Sequence, residues 1–205
     1  LNFYWAINCR GDLFDSDDDI YIIEKMKKAG CLSVGYSLES ADTDILKAMN
    51  KRITVEQFTK QSAILRKAGM PILTSLVFGY PQETSESIKK TIDCCISNQI
   101  YPSPGYLLPQ PGSMMYDYAI EHGFIEDEED YLLKIGDRQD LWVNMTAMSN
   151  EDFESCIIEE LKRCNQALKI GLSEQSLIKT QYYRVSAEKA DSLDYNHQIC
   201  PNCSP

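Results

Sequence analysis

The side chains of this sequence that could do chemistry fall into two sets. The first is its eight cysteines, at 9, 31, 94, 95, 156, 164, 200 and 203, together with two histidines, His122 and His197. Most of the cysteines lie inside apolar runs, where a thiol behaves as a small hydrophobe. Cys94 and Cys95 are adjacent, and Cys156 and Cys164 are eight apart. Only Cys200-Pro-Asn-Cys203 is a CxxC pair, with His197 nearby, whereas a metal site usually takes four ligands. The pair reads as an incidental or redox-sensitive one in a tail, with zinc or an auxiliary cluster as the other reading. The histidines have no partner arrangement for nucleophilic catalysis, and no Walker-type run occurs.

The second set consists of polar residues that directly follow apolar runs: Arg10, Glu39 with Ser40, Gly79 through Glu83, and Pro109 through Ser113. Their meaning depends on the elements that place them. Phe3 to Cys9 reads as a buried strand. Ser16-Asp17-Asp18-Asp19 then opens a helix, with Ser16 as cap and three carboxylates at the positive end of the dipole. Ala29-Gly30 ends it. Cys31 to Leu38 is the next strand, followed by a short helix from Asp42 to Met49 and a longer one from Val55 to Ala68. Pro71 to Phe78 is a third strand, broken at Gly79-Tyr80-Pro81. Thr84 caps a helix that carries Ile88, Ile92, Cys95 and Ile96 on one face. Tyr106 to Leu108 is a short fourth strand, and Asn150 to Leu172 reads as one long helix.

Strands separated by helices at this rhythm imply right-handed βαβ units and a parallel sheet. Functional groups on such sheets gather at the C-terminal strand ends. The second set of residues falls on those ends.

Three runs carry a resemblance. Gly35-Tyr36-Ser37-Leu38-Glu39-Ser40 with Ile45 to Lys51 and Val55-Glu56-Gln57 is similar to the fourth-strand region of radical S-adenosylmethionine (SAM) enzymes. The branch that often carries a cobalamin-binding domain is the nearest in flavour. Phe78-Gly79-Tyr80-Pro81-Gln82-Glu83-Thr84 resembles that branch's fifth-strand motif, and Leu108-Pro109-Gln110-Pro111-Gly112-Ser113 its sixth. The likeness covers roughly residues 3 to 125, in the family's order.

The resemblance implies an α/β fold, a partial parallel (β/α) barrel of the radical SAM type with a C-terminal helical extension. The divisions are 1–125 for the C-terminal half of the barrel, 126–172 for the extension and 173–205 for a polar tail. It further implies that Glu39 and Ser40 meet polar groups of SAM, and that Lys51 meets its carboxylate. Arg10 corresponds to a basic residue after the third barrel strand. Gly79 and the backbone at Val77 and Leu108 flank the adenine, where glycine permits close approach. The cofactors implied are SAM, a [4Fe–4S] cluster and, in a full-length protein, cobalamin. The reaction implied is reductive SAM cleavage or radical methylation of a small-molecule or other substrate, fed by an electron donor.

The family holds its cluster with a CxxxCxxC loop, and no such spacing occurs here. The sequence also begins without Met inside a strand-like run, so a fragment inactive alone is the expectation. The unpaired parallel edge at its first strand would leave it poorly soluble or in need of its missing half. Each site residue also has a plain structural reading. Glu39 could cap the next helix, Lys51 could complement a dipole, Gly79-Tyr80-Pro81 and Pro111-Gly112 could be ordinary turns, and Arg10 could form a structural ion pair. A non-catalytic SAM-binding or interaction module, or an unrelated α/β barrel binding phosphate at Gly79, stays open beside the enzyme reading.

Bulk properties set outer bounds. A net charge of −11 argues against a general nucleic-acid surface. No apolar run approaches the roughly 18 residues of a membrane span. With no secretory leader and few cysteines for the length, the expected setting is the cytoplasm.

Overall fold

A computed structural model of the chain describes residues 3–169. The tail from residue 173, with Cys200, Cys203 and His197, lies outside the described residues. Three strands form a parallel sheet in the order of the chain: β1 (Trp5–Asn8), β2 (Cys31–Gly35) and β3 (Ile72–Leu73). Between and after them run α1 (Asp19–Lys28), α2 (Thr43–Ala48), α3 (Val55–Lys67) and α4 (Ser85–Ser97). The sequence then continues through α5 (Met114–Glu121), α6 (Glu128–Lys134) and α7 (Asn150–Leu168).

The fourth strand expected at Tyr106–Leu108 is present as backbone pairing along a longer stretch. Ser103 N donates to Thr74 O at 2.7 Å, Leu76 N to Ser103 O at 3.0 Å and Gly105 N to Leu76 O at 3.0 Å. Phe78 N then donates to Gly105 O at 2.9 Å and Leu107 N to Phe78 O at 2.7 Å. Segment 103–107 thus extends the parallel sheet beyond β3, and its ladder ends at Leu107.

Helix starts follow from local chemistry. Thr54 and Gln57 form a reciprocal capping box at α3, and Thr84 and Ser87 form another at α4. The first helix departs from expectation, because Ser16 does not cap it. The Asp19 carboxylate reaches back to the amides of Asp15 and Ser16 at 2.8 and 3.0 Å, and the helix begins at Asp19. The amides of Asp19, Ile20 and Tyr21 are met by the carbonyls of Ser16, Asp17 and Asp18 at 3.1, 3.2 and 3.3 Å, so the helix start has backbone partners where the Ser16 hydroxyl would have acted.

Helical spacing puts Ile88, Ile92 and Cys95 of α4 and Phe153, Ile157, Leu161 and Cys164 of α7 into one core with Val34, Leu38, Leu76 and Phe78. Each fully buried side chain of this kind contributes roughly 1.5–3 kcal/mol. Helix α7 packs along α4, and the Phe153 ring lies 5.8 Å from that of Tyr106. It is therefore a wall of the main core. A smaller core joins Tyr116, Ala119, Ile125, Tyr131, Val143 and Met145.

The opposite face of the sheet carries no such cover among the described residues. Tyr4, Ala6 and Asn8 of the first strand segment, Leu32, Leu73 and Ser103 are exposed there, and Ser37, Ser75 and Val77 are half-buried. No described helix is long and apolar enough to cross a membrane.

Candidate functional site

The C-terminal strand ends are shaped by an irregularity between β2 and β3. Tyr36 N donates to Leu73 O at 3.0 Å, and the next ladder bond is Glu39 N to Ser75 O at 3.2 Å. Three steps on one strand thus oppose two on the other, which is a bulge. The side chain of Thr74 fills the gap: its hydroxyl accepts from Leu38 N at 3.3 Å and donates to Tyr36 O at 2.8 Å. The extra residue turns the chain so that Glu39 takes the left-handed conformation, φ 64°. A non-glycine residue there is strained by roughly 1–3 kcal/mol, and such strain clusters at functional sites. Val77 N holds the turn by donating to Glu39 O at 3.0 Å.

Lys51 is delivered from the far end of α2. Asn50 is left-handed at φ 52°, Asn50 N donates to Lys47 O and Lys51 N to Leu46 O, both at 2.9 Å. This is a Schellman closure with asparagine in the glycine position. It sends the Lys51 ammonium back across the strand ends to Glu39 Oε1 at 2.7 Å. The Glu39 side chain is 12% exposed and that of Lys51 41%. Tyr80 is buried beside them, and burial first, then the charge of Glu39, pushes its phenol up.

The remaining sequence-derived candidates separate. Gly79 has φ 115°, which favours glycine. Its amide donates to Glu83 Oε2 at 3.4 Å. Ser40 is buried, and its hydroxyl accepts from Asp42 N at 3.1 Å and bonds Thr91 Oγ1 at 3.3 Å. The structure gives that hydroxyl to the turn entering α2. Arg10 is exposed, and it binds Asp12 through two hydrogen bonds of 3.0 and 3.1 Å. That guanidinium holds the Asp12 carboxyl below the usual carboxylate range. Arg10 therefore meets an acid of its own loop.

Val77 and Leu108 come together on one groove of about 530 Å³, open to solvent, with Tyr106, Leu107, Gln110 and the turn Gly136-Asp137-Arg138 as its other lining. That volume is in the usual range of small-molecule sites, roughly 300–1,000 Å³. A carboxylate, an ammonium and an adjoining groove edged by strand-end backbone suit a ligand with a zwitterionic end and a flat heterocycle, and SAM fits this set of groups. The cluster does not fit. Among the described residues no group of three or more His, Cys, Asp or Glu could hold a metal. The thiols of Cys94, Cys95, Cys156 and Cys164 are pushed up by burial in the core.

Two residues carry no role of their own in the sequence reading. Glu83 is buried under the Gly79 turn, accepts from the Ser87 hydroxyl, and is pushed up to about 7, chiefly by burial. Its place in the Gly79-to-Glu83 run was the available signal. Arg138 sits in the groove wall and has no motif around it.

A parallel sheet with helices on one face, an open opposite face and polar groups at the C-terminal strand ends defines a partial α/β barrel with its site at the strand mouth. The model of the radical SAM superfamily matches residues 2–95, a little under half of the chain. It is 29% identical over 126 residues to an uncharacterized methyltransferase of Pyrococcus horikoshii, covering 61% of this chain and 27% of that protein. A bacteriochlorophyllide d methyltransferase of Chlorobaculum tepidum is 28% identical over 98 residues, covering 47% and 22%. The chain thus spans about a quarter of the length of these curated relatives. Among solved structures, the radical SAM enzyme coproporphyrinogen III oxidase of Escherichia coli superposes with a TM-score of 0.54 at 13% identity. That superposition covers 87% of this chain and 38% of the oxidase, and it shows the shared fold.

Proposed function

We propose that this chain supplies the SAM-holding strand ends of a radical SAM methyltransferase. The observation that carries the reading is the Glu39–Lys51 pair, poised at the strand mouth beside the Val77–Leu108 groove. SAM presents an α-ammonium, a carboxylate, a ribose diol and an adenine. Glu39 accepts from its donors, and an ionised acceptor binds them more strongly than a neutral one. Lys51 is the counter-charge for its carboxylate. The groove beside Val77 and Leu108 takes the adenine, with Gly79 letting the backbone approach closely.

Bound next to a reduced [4Fe–4S] cluster, SAM supplies radical or methyl-transfer chemistry. No residue described here holds that cluster, so in this reading its ligands and the electron donor lie outside the described chain. The role of this chain's residues is to bind and orient SAM. The methyltransferase names of the two curated relatives favour methyl transfer as the reaction class.

Isothermal titration of SAM into the purified chain tests the reading. Binding that weakens in both Glu39→Ala and Lys51→Ala supports it. Equal affinity in wild type and both variants would sink it.

A further inference from the structure

The groove has a second wall that SAM holding does not explain. Arg138 reaches it from the turn after α6, and the turn is fixed at several points. Tyr106 N donates to Arg138 O at 2.7 Å, Trp142 Nε1 donates to Asp137 O at 2.9 Å, and the indole packs on Gly136. The Arg138 stem lies on Gly105, where a Cβ would come within 3.1 Å of Cδ and 3.2 Å of Nε. Any side chain at position 105 would therefore displace the guanidinium. Its Nη2 points along the strand to Ser103 Oγ at 3.5 Å. Ser103 pairs with Ser75, and Ser75 Oγ bonds Ser37 Oγ at 2.7 Å. A row of hydroxyls thus runs across three neighbouring strands on the uncovered face and ends at a cation.

Charge makes the arrangement selective. Acidic residues outnumber basic ones by 31 to 20 in this chain. Arg10 and Arg163 each meet a carboxylate. Arg138 forms no ion pair among the described residues, and it is half-buried, whereas Arg52 and Arg66 lie exposed on the surface. The nearest acid in the groove lining, Asp137, turns one carboxylate oxygen to the amide of Gln139 at 3.2 Å. A half-buried guanidinium with hydroxyl neighbours and no ion pair among the described residues is suited to an oxyanion, which it can meet through two parallel N–H donors.

We propose that Arg138, seated over Gly105 beside Ser103, binds a carboxylate or phosphate of the second reactant. The inference rests on the SAM reading only in calling that molecule the second reactant; the anion site itself is a property of this wall. The methyl acceptor is then an anionic small molecule anchored on the opposite side of the groove from the Glu39–Lys51 pair.

The test is ¹H–¹⁵N NMR of the full chain titrated with inorganic phosphate and, separately, with succinate, at constant ionic strength and without SAM. Saturable shifts of the Ser103 and Gly105 amides and of the Arg138 Nε–H resonance are expected. The responding probe tells which oxyanion the wall prefers. Arg138→Gln should weaken binding by about tenfold or more, as loss of a charge-assisted contact does, and Arg138→Lys should retain part of it. Should Arg138→Gln disturb the turn, Ser103→Ala gives the same reading with the turn intact, through a several-fold weakening. Resonances unmoved by both probes, or the same titration in wild type and Arg138→Gln, would overturn the proposal. A protein that fails to bind SAM yet passes this titration keeps the anion site and loses only its assignment to a methyl acceptor.

Discussion

Lys51 Nζ meets Glu39 Oε1 at 2.7 Å across the strand mouth, twelve residues apart in sequence and joined by the closure of α2. With Lys51 41% exposed, the pair contributes no more than about 1 kcal/mol to folding. In the proposed SAM site its contribution would be larger, because each charge would bond an opposite charge of SAM. Lys51→Met should therefore lower SAM affinity about 10- to 100-fold, the usual range for a hydrogen bond to a charged group. It should shift the urea midpoint by under about 1 kcal/mol in stability. Calorimetry and urea titration on the same protein check the split. A stability loss with unchanged affinity would make the pair purely structural.

Glu39 itself is held in a left-handed conformation that glycine adopts freely. Glu39→Gly should relieve strain of about 1 kcal/mol or more while losing the weak ion pair. The expected outcome is a chain at least as stable as wild type with SAM binding severely reduced. A Glu39→Gly variant clearly less stable than wild type would show that the carboxylate is there for the fold.

Much of this was legible in the sequence, and the limits have physical causes. Apolar runs marked the strands, so the strand-end positions of Glu39, Gly79 and Leu108 could be read off. The bulge that turns Glu39 could not, because its plug is a hydroxyl on Thr74, a neighbouring strand's side chain 35 residues away. Ser40 looks like a companion of Glu39, yet its hydroxyl bonds Thr91, 51 residues on. Helices α5 and α6 have 8 and 7 residues, too short a run for a helical period to show. Arg138 lies in a turn whose position is set by Trp142 and by pairing to Tyr106, contacts that no local pattern announces.

Thr74 offers a direct check on the bulge. Its hydroxyl serves both Leu38 N and Tyr36 O in a buried setting. Thr74→Val keeps the shape and removes both bonds. Leaving two buried backbone groups unsatisfied should destabilise the chain by about 2–4 kcal/mol. Thr74→Ser, which retains the hydroxyl, should lose much less. Chemical denaturation of the two variants measures the difference, and equal losses would remove the hydroxyl from the account.

Glu83 gives the chain a pH dependence whose sign is fixed. Its carboxyl is raised by burial to about 7 from an ordinary 4.5, with the Ser87 hydroxyl and the Gly79 amide only partly offsetting that. In the unfolded chain the proton leaves near 4.5, whereas the folded protein keeps it up to about 7. Between those values the folded state binds more protons, so stability falls as pH rises through the window, and the full deficit is present above it. The protonated carboxyl can donate to Ser87 Oγ, which donates in turn to Thr84 O at 2.9 Å. Glu83→Gln mimics this form, with its amide donating to Ser87 and its carbonyl accepting from Gly79. Urea titrations at pH 5 and pH 8 should show wild type losing on the order of 3 kcal/mol more than Glu83→Gln across that interval. The same pH slope in both proteins would mean that Glu83 is already ionised in the fold, with the Gly79 turn resting on a buried charge.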